Sequence, residues 1–313
     1  MTDGPITDGP ITGGPITGGM VSWRELLAET VRRLVDGGVG SAAEVTPEAR
    51  WLCETASGLT GAEWVLGQGA MVGARAVARL DAMVERRLTG EPVQYVLGSW
   101  AFRHLDLMVD RRVLIPRPET ELVAGVAIEL ALAAPSPRTV VDLGTGSGAI
   151  ALSLATELPL GSATVWATDT SADALDVARA NLVGVGRSGA HVRIEHGSWF
   201  DALPDELRGR VDVVVSNPPY VAEGDARLDA SVGAWEPASA LFGGPDGLAA
   251  VREIVAGAPE WLRPGGWLVL EIGAGQGDAV GALLRAARLV DVAVRADPAG
   301  HDRVALGRRE MKA

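Results

Sequence analysis

Cysteine is almost absent from this sequence of 313 residues, in which Cys53 is the only one. A single cysteine excludes an intramolecular disulfide and a metal site built from several thiolates. The histidines are scattered without the spacing of metal ligands, so we expect no bound metal. Cys53 lies in an apolar helical pattern, which favours a place in the core over a nucleophilic role. The scarcity of cysteine favours the cytoplasm as the compartment.

Basic residues are also scarce, which bears on the possible partners. Lysine and arginine together number 28 against 40 acidic residues, so the formal net charge is -12. Proteins that bind a phosphate backbone usually carry a basic face, because counterion release drives that binding. We therefore expect no direct binding to nucleic acid.

Long apolar runs are missing as well. No stretch reaches the roughly 18 uncharged apolar residues that a membrane span requires, and the run after Glu121 is interrupted by Glu129. The N-terminus lacks a basic stretch followed by an apolar core, so no secretory signal is expected. With 47% hydrophobic and 22% charged residues, the composition is that of a globular protein without a membrane partner.

The beginning of the chain is expected to form a tail. Residues 1–20 repeat a five-residue unit rich in Gly and Pro, which can neither hold a helix nor bury a core. Met20 directly follows the repeat, and our hypothesis is that it is the natural start.

Residues 21–90 are predicted to form a small helical bundle. Ser22 and Glu25 have the spacing of a capping box at a helix start. Two further helix starts are predicted from Thr46 before Pro47 and from a second capping box, Thr60 to Glu63.

The rest of the chain changes period. Residues 91–112 show short alternating runs with turn residues and are predicted to form a hairpin linker. Residues 113–313 alternate between strands and helices, which is typical of an α/β domain. The predicted strands are Thr139–Leu143, Thr164–Asp169, Val192–His196, Val211–Ser216, Gly266–Ile272, Asp291–Ala296 and Arg303–Gly307. The last two are joined by too few residues for a parallel crossover. We therefore predict a Rossmann-like, mostly parallel seven-stranded sheet whose last strand is antiparallel.

A glycine-rich turn follows the first predicted strand of this domain. The glycine loop, residues 144–149, has the sequence Gly-Thr-Gly-Ser-Gly-Ala, in which glycines let a ligand lie against bare main chain. Asp169, at the end of the next strand, can accept both hydroxyls of a ribose. The loop also satisfies the dinucleotide fingerprint, so a nicotinamide enzyme is an alternative. Asp142 favours S-adenosyl-L-methionine, because its carboxylate suits the ammonium of a methionine moiety and repels a pyrophosphate.

The end of the fourth predicted strand has the sequence Asn217-Pro218-Pro219-Tyr220. The prolines make this strand end rigid, which suits a site whose acceptors must stay in fixed places. The Asn217 side-chain oxygen and the Pro218 carbonyl can both accept hydrogen bonds from one planar amino group, and Tyr220 can stack on it. Two such acceptors raise the electron density on the nitrogen and aim its lone pair at a methyl donor.

Together the two motifs resemble class I methyltransferases that modify planar amino nitrogens, either in nucleic acids or in glutamine side chains. Further segments, in matching order from about Ser22 to Arg309, resemble the peptide chain release factor glutamine methyltransferases. The segments that carry this resemblance are Gly90-Glu91-Pro92-Val93-Gln94-Tyr95, Gly98, Phe102, Leu114-Ile115-Pro116-Arg117-Pro118-Glu119-Thr120-Glu121, Glu236-Pro237, Gly243-Gly244-Pro245-Asp246-Gly247-Leu248, Glu271-Ile272-Gly273, Gln276-Gly277 and Asp302-Arg303-Val304.

The resemblance implies a fold, a reaction and a set of site residues. It implies a class I methyltransferase fold, with S-adenosyl-L-methionine as cofactor and class I translation release factors as partners. The methyl acceptor would be the glutamine of their Gly-Gly-Gln tip, and the bundle would help to grip the factor. The candidate catalytic residues are Asn217, Pro218, Pro219 and Tyr220. The candidate cofactor-binding residues are Asp142, Gly144, Thr145, Gly146, Ser147, Gly148, Asp169, Trp199 and Asn217.

Three alternatives stay open at this point. A nucleic-acid amino-methyltransferase, acting on adenine N6 or guanine N2, would share the pocket chemistry. A module that binds the cofactor without turnover and a dehydrogenase are the others. One residue departs from the family pattern, because Ser198 stands before Trp199 where an acidic residue is usual. A serine hydroxyl accepts a hydrogen bond from the adenine amine more weakly than a carboxylate does.

Overall fold

The computed structural model describes residues 21–225 and 230–311. The repeat tail and Met20 lie outside the described residues. The contacts within the chain divide it into two compact units, Met1–Leu97 and Gly98–Ala313.

Helices make up the described part of the first unit. They are α1 (Trp23–Asp36), α2 (Ala42–Ser57), α3 (Gly61–Gly67), α4 (Ala74–Leu88) and α5 (Val93–Leu97). Ser22 caps α1 and Glu25 reaches back to the Ser22 N–H over 2.8 Å, so the predicted capping box is confirmed. Cys53 is fully buried in the core of this unit, where burial raises the pKa of its thiol to about 12.

One predicted helix start is wrong, and the capping box predicted at another is not formed. Helix α2 begins five residues before Pro47, because the Ser41 N–H donates to the Glu44 carboxylate over 2.8 Å and completes a capping box there. Pro47 therefore lies inside α2, where it removes one backbone hydrogen bond early in the helix. Thr60 does precede α3, but its hydroxyl makes no capping hydrogen bond.

The second unit opens with a hairpin and continues as an α/β domain. Strands β1 (Ser99–Phe102) and β2 (Leu105–Met108) pair antiparallel. The further strands are β3 (Arg138–Leu143), β4 (Ala163–Asp169), β5 (Val192–His196), β6 (Val211–Ser216), β7 (Leu262–Glu271), β8 (Leu289–Ala296) and β9 (Asp302–Arg309). The helices are α6 (Pro118–Ala133), α7 (Ala149–Glu157), α8 (Ala172–Gly184), α9 (Ala230–Trp235), α10 (Ala238–Leu241), α11 (Ala249–Trp261) and α12 (Gly277–Ala286).

The seven strands β3 to β9 form one sheet in the order β5-β4-β3-β6-β7-β9-β8. All neighbouring pairs are parallel except those that involve β9, which is antiparallel to both β7 and β8. The predicted mostly parallel sheet with an antiparallel last strand is confirmed. Strand β7 starts at Leu262, four residues before the predicted Gly266, because Val211 pairs with Leu262 ahead of a register shift.

Apolar clusters cover both faces of this sheet. Val140 of β3 belongs to one cluster and Val141 to the other, as the alternation of side chains along a strand requires. Helices α6 and α7 supply the first cluster, and α11 and α12 supply the second. Strands β4 and β5 lie on one side of β3 and strand β6 lies on the other, so the order in which strands are added to the sheet reverses at β3. Ligands of open α/β sheets bind at the carboxyl ends of the strands at such a point.

Among the described helices, none is both long and apolar enough to cross a membrane.

Candidate active site

The glycine loop turns sharply out of β3 and into α7. Gly144, Gly146 and Gly148 have φ angles of 71°, 54° and 85°, in the left-handed region that favours glycine. A Cβ at Gly144 would lie 3.3 Å from the Trp199 ring, whereas one at Gly146 would meet no atom of the described residues within 4 Å. The main chain at Gly146 therefore borders open space, where a ligand can approach it closely.

Asp142 lies beneath this loop with only 1% of its surface exposed. Its Oδ2 accepts hydrogen bonds from the Thr145 hydroxyl over 2.6 Å and from the Ala151 N–H over 3.1 Å. Its Oδ1 is buried and has no hydrogen-bond partner among the described residues. Burial raises the pKa of Asp142 to about 7 against the effect of these two donors. A buried carboxylate with an unpaired oxygen suits a cationic partner.

Asp169 and Trp199 flank the loop on its other side. The Asp169 carboxylate accepts from the Gly146 N–H and from the Ser171 N–H, each over 2.9 Å, which fixes it at the end of β4. Trp199 has a positive φ of 41°, and its indole N–H donates to Glu253 on α11 over 2.8 Å. This bond holds the Trp199 ring beside Gly144.

These features fit S-adenosylmethionine. The unpaired Oδ1 of Asp142 provides an acceptor for an ammonium group. The open main chain at Gly146 and the carboxylate of Asp169 adjoin the same cleft, as a ligand with a ribose requires. Within residues 21–225 and 230–311, no group of three or more His, Cys, Asp or Glu side chains could hold a metal ion.

Asn217 follows β6 and lines the same cleft. Its amide nitrogen donates to the hydroxyl of Thr120 over 3.2 Å, and that hydroxyl donates to the Glu271 Oε2 over 2.7 Å. The amide oxygen of Asn217 therefore points away from Thr120. An acceptor held in a fixed direction is what the orientation of an incoming amide requires.

Tyr220 is held from both ends. Its hydroxyl donates to the Glu271 Oε1 over 3.2 Å, and its main-chain carbonyl accepts from the Gln276 side chain over 3.1 Å. Burial and the neighbouring Glu271 raise the pKa of Tyr220, so its hydroxyl stays a donor. A Cβ at Gly247 would lie 2.3 Å from the Tyr220 carbonyl oxygen, so the loop through residue 247 packs directly on this segment.

The Ile115 to Glu121 segment meets Glu236 in space. The Ile115 N–H donates to the Glu236 Oε2 over 3.0 Å, and the Arg117 guanidinium donates to Oε1. The Glu236 side chain is only 1% exposed. Pro118 then opens α6, which brings Thr120 of its first turn to Asn217. The extended segment is thereby anchored on one side of the cleft.

The structure brings most of the candidate residues to one cleft. Those that line it are Gly144, Thr145, Gly146, Ser147, Asp169, Trp199, Asn217 and Pro219. The remaining candidates lie just outside the cleft lining: Asp142 and Gly148 are buried under the loop, Pro218 is buried and Tyr220 is half-buried.

Several residues of the site were not selected from the sequence. Thr120 and Glu271 belong to segments that carry the family resemblance, which was the available signal, but their hydrogen bonds to Asn217 and Tyr220 depend on tertiary structure. Glu253 gave no sequence signal. The other unselected residues that line the cleft are Arg112, Val113, Leu114, Pro116, Ala149, Ile150, Thr170, Ser171, Ala174, Gly197, Pro237, Ser239 and Ala240.

Comparison with known proteins gives two matches to family models. Residues 25–98 match the PrmC N-terminal domain, and residues 127–236 match the methyltransferase small domain. A solved protein-(glutamine-N5) methyltransferase (release factor-specific) from Alicyclobacillus acidocaldarius is 31% identical, covers 63% of this chain and 94% of its own, and has a TM-score of 0.39.

Curated relatives named release factor glutamine methyltransferase match most of the chain. The protein from Xylella fastidiosa is 48% identical over 246 residues, covering 78% of this chain and 86% of its own. The protein from Burkholderia pseudomallei is 44% identical, covering 83% and 91%, and that from Geobacter sulfurreducens is 38% identical, covering 89% and 96%. Identity and coverage of this extent confirm the resemblance found in the motifs and favour it over a nucleic-acid methyltransferase. The chain belongs to the release factor glutamine methyltransferase family.

Proposed function

We propose that this protein transfers a methyl group from S-adenosyl-L-methionine to the side-chain amide nitrogen of a glutamine in class I peptide chain release factors. The acceptor is the glutamine of the Gly-Gly-Gln tip. The observation that carries the proposal is the fixed amide of Asn217, whose oxygen is turned away from Thr120 in a cleft that also contains the glycine loop. Relatives that bear this name cover nearly the whole chain.

The acceptor explains why the site needs rigid hydrogen-bond acceptors rather than a strong base. An amide nitrogen shares its lone pair with the carbonyl and is a poor nucleophile. Asn217 Oδ1 and the Pro218 carbonyl accept its two hydrogens, which raises the electron density on nitrogen and directs the lone pair. Tyr220 packs against the flat amide and limits its rotation. The residues thus act through positioning and electrostatics.

The cofactor is held by the loop side of the cleft. Asp142 receives the ammonium, the main chain of the glycine loop lies along the methionine part, and Asp169 binds the ribose. Trp199, fixed by Glu253, packs near the adenine. When bound, S-adenosylmethionine supplies a methyl group on a positively charged sulfur. Asn217 adjoins both ligands.

Three segments of the chain have different roles in this function. The helical segment of residues 21–90 contacts the release factor, residues 91–112 link, and residues 113–313 hold the cofactor and the acceptor glutamine. The acidic net charge of -12 is consistent with a protein partner and with the absence of direct nucleic-acid binding. The reaction takes place in the cytoplasm, where release factors act.

Labelled S-adenosylmethionine tests the proposal. The purified protein is incubated with a release factor and with a variant of that factor whose tip glutamine is alanine. Label on the first factor only, located by mass spectrometry on the tip peptide, is the expected result. Cofactor binding without label on either factor would overturn the proposal and direct the search to ribosomal RNA and DNA as acceptors.

A further inference from the structure

Glu271 occupies an unusual place at the end of β7. Its side chain is a fully buried carboxylate, and it accepts from two hydroxyls that come from different parts of the chain. Thr120 on α6 donates to Oε2 over 2.7 Å, and Tyr220 after β6 donates to Oε1 over 3.2 Å. Thr120 contacts Asn217, and Tyr220 belongs to the Asn217 to Tyr220 segment that is proposed to hold the acceptor amide.

The direction of these hydrogen bonds determines how Asn217 is oriented. A carboxylate has only acceptors, so the single hydroxyl hydrogen of Thr120 must be donated to Glu271. The Thr120 oxygen can then only accept from Asn217, and this selects the amide nitrogen of Asn217 as the end that faces it. The amide oxygen of Asn217 is consequently presented on the opposite side, as an acceptor for the substrate amide.

We propose that Thr120 and Glu271 are positioning residues, which fix the hydrogen-bonding polarity of Asn217 and, through Glu271, also the ring of Tyr220. This inference rests on the proposed function, since Asn217 and Tyr220 are taken there to hold the glutamine amide. Neither Thr120 nor Glu271 needs to touch the reacting atoms. The buried carboxylate of Glu271 thereby holds both Thr120, which orients Asn217, and Tyr220 by hydrogen bonds.

If these hydrogen bonds ran in the opposite direction, Asn217 would turn its NH₂ group instead of its oxygen toward the substrate amide. If Glu271 carried a proton, it could donate to Thr120, and the Thr120 hydroxyl could then donate to the Asn217 oxygen. The amide of Asn217 would be turned over and would present its NH₂ to another NH₂, which cannot form a hydrogen bond. Only the ionised form of Glu271 excludes this arrangement, so we expect the ionised form to be the active one.

The surroundings of Glu271 make this ionisation sensitive to pH. Burial raises the pKa of Glu271 to about 7, although the hydrogen bond from Thr120 and the charge of Arg303 on β9 oppose the shift. Tyr220 after β6 also lowers the pKa of Glu271, and Glu119 on α6 raises it. As the pH falls through about 7, Glu271 takes up a proton and the turnover number at saturating cofactor is expected to fall.

The first test compares Thr120→Val with Thr120→Ser. Valine keeps the shape of threonine without the hydroxyl, and serine keeps the hydroxyl without the methyl group. We expect kcat for release-factor methylation to fall about 10- to 100-fold in Thr120→Val, because loss of positioning acts on the reacting geometry. We expect Thr120→Ser to stay within about threefold of wild type, and the cofactor Kd of both within about twofold.

Two outcomes would overturn the inference. Thr120→Val with the kcat of wild type would remove the hydroxyl from any positioning role. Thr120→Ser as impaired as Thr120→Val would assign the effect to packing of the methyl group. The melting temperature of each variant is measured alongside, so that a purely structural effect shows as lost stability with unchanged kcat.

Glu271→Gln provides the second test and does not depend on the folding of the Thr120 variants. Glutamine has one acceptor and one donor end, so it cannot accept from both hydroxyls. We expect a lower kcat and the disappearance of the decline below about pH 7 that wild type shows. The double variant Thr120→Val/Glu271→Gln should lose no more than the worse single variant, because both act through one chain of hydrogen bonds. Both proteins are assayed with S-adenosylmethionine saturating at every pH, so that protonation of Asp142 does not enter through cofactor binding. Persistence of the acidic decline in Glu271→Gln under these conditions would overturn the inference.

The wild-type assay keeps the two proposals separate. If wild type does not methylate the release factor, the proposed function fails, whatever the variants do. If wild type is active and both Thr120→Val and Glu271→Gln match it, only the positioning role fails.

Discussion

The side-chain nitrogen of Asn181 donates to the carbonyl of Ser147, 2.9 Å away, and so holds the glycine loop from α8. The same side chain pairs with Met108 of the hairpin: it accepts from the Met108 N–H over 2.7 Å and donates to the Met108 carbonyl over 3.1 Å. One buried amide thus satisfies main-chain groups of two segments that are far apart in the sequence. The shape of the cofactor loop depends on a residue that does not line the cleft.

Replacement of Asn181 should therefore weaken cofactor binding. Asn181→Ala leaves the Ser147 carbonyl and the Met108 N–H without this partner, at a cost of about 1–3 kcal/mol for the buried Ser147 carbonyl and less for the part-buried Met108 N–H. We expect at least about a tenfold increase in the Kd for S-adenosylmethionine, measured by calorimetry. Arg179→Ala on the same helix is the control, because Arg179 is exposed and its partner among the described residues is Asp176. Equal affinities of the two variants would contradict this role of Asn181.

Gly144 offers a test of the close approach between the loop and Trp199. Alanine at this position must adopt a φ of 71° and would place its Cβ 3.3 Å from the Trp199 ring. We expect Gly144→Ala to displace the indole and to weaken cofactor binding, while the domain still folds.

Gly300→Ala is the matched control for Gly144→Ala. Gly300 has a similar φ of 86°, but a Cβ there would meet no atom within 4 Å in the part of the chain that the structure describes. Both variants bear the same backbone strain, about 1–2 kcal/mol, so they should lose similar stability. Only Gly144→Ala should raise the cofactor Kd, and a similar rise in Gly300→Ala would assign the effect to global destabilisation.

Asn217→Ala separates the two halves of the site. The variant lacks the acceptor oxygen for the substrate amide, whereas the glycine loop and Asp169 are intact. We expect turnover to fall below detection, with the cofactor Kd changed by less than about threefold. Filter binding of labelled cofactor and methyl transfer to a release factor measure the two quantities. Turnover at the wild-type rate would remove Asn217 from its proposed role.

Local signals in the sequence predict most of the elements, and the misplaced start of α2 comes from a choice between two such signals. Strand periodicity predicts β3, β4, β5 and β6 to within one residue. Strand β6 and the last four residues of β3 are buried throughout, as in strands covered on both faces, whereas β5 at the edge of the sheet alternates apolar and charged residues. Helix α2 was placed five residues late, since Thr46-Pro47 is a strong local start signal and Ser41 with Glu44 formed the box instead.

In the candidate site, the sequence predicts the contiguous motifs but not the contacts between residues that are distant in the chain. The glycine loop and Asn217-Pro218-Pro219-Tyr220 are contiguous motifs, and the sequence alone sufficed to select them. Glu271 is 51 residues from Tyr220 and 151 from Thr120, and Glu253 is 54 from Trp199, so no local pattern connects them. The buried orphan oxygen of Asp142 also required the structure, although the position of the residue before the loop had indicated a role.

Asp142 lowers the stability of the protein without ligand at neutral pH. Its pKa is raised by burial to about 7 in the folded chain, above the usual value near 4, so between these two pH values the folded state binds a proton that the unfolded state does not. The free energy of unfolding must therefore fall as the pH rises from about 4 to about 7, and the deficit persists at higher pH. The buried Asp142 carboxylate therefore destabilises the ligand-free protein, in which no ammonium group neutralises it.

Asp142→Asn should restore the free energy of unfolding that is lost at neutral pH, and it should also weaken the binding of the cofactor's ammonium group. At pH 8 we expect the melting temperature of the ligand-free variant to exceed that of wild type by at least about 2–4 °C, the shift that 1 kcal/mol produces in a domain of this size. The advantage should vanish at pH 4, where wild type is also neutral at this position, so that measurement is the internal control. In parallel the Kd for S-adenosylmethionine should rise by about tenfold or more, because the buried ammonium loses its charged partner. Two results would contradict this role of Asp142. The variant could bind the cofactor as tightly as wild type, or its melting temperature could exceed that of wild type by no more at pH 8 than at pH 4. Either result would show that the Asp142 charge is balanced by some other group.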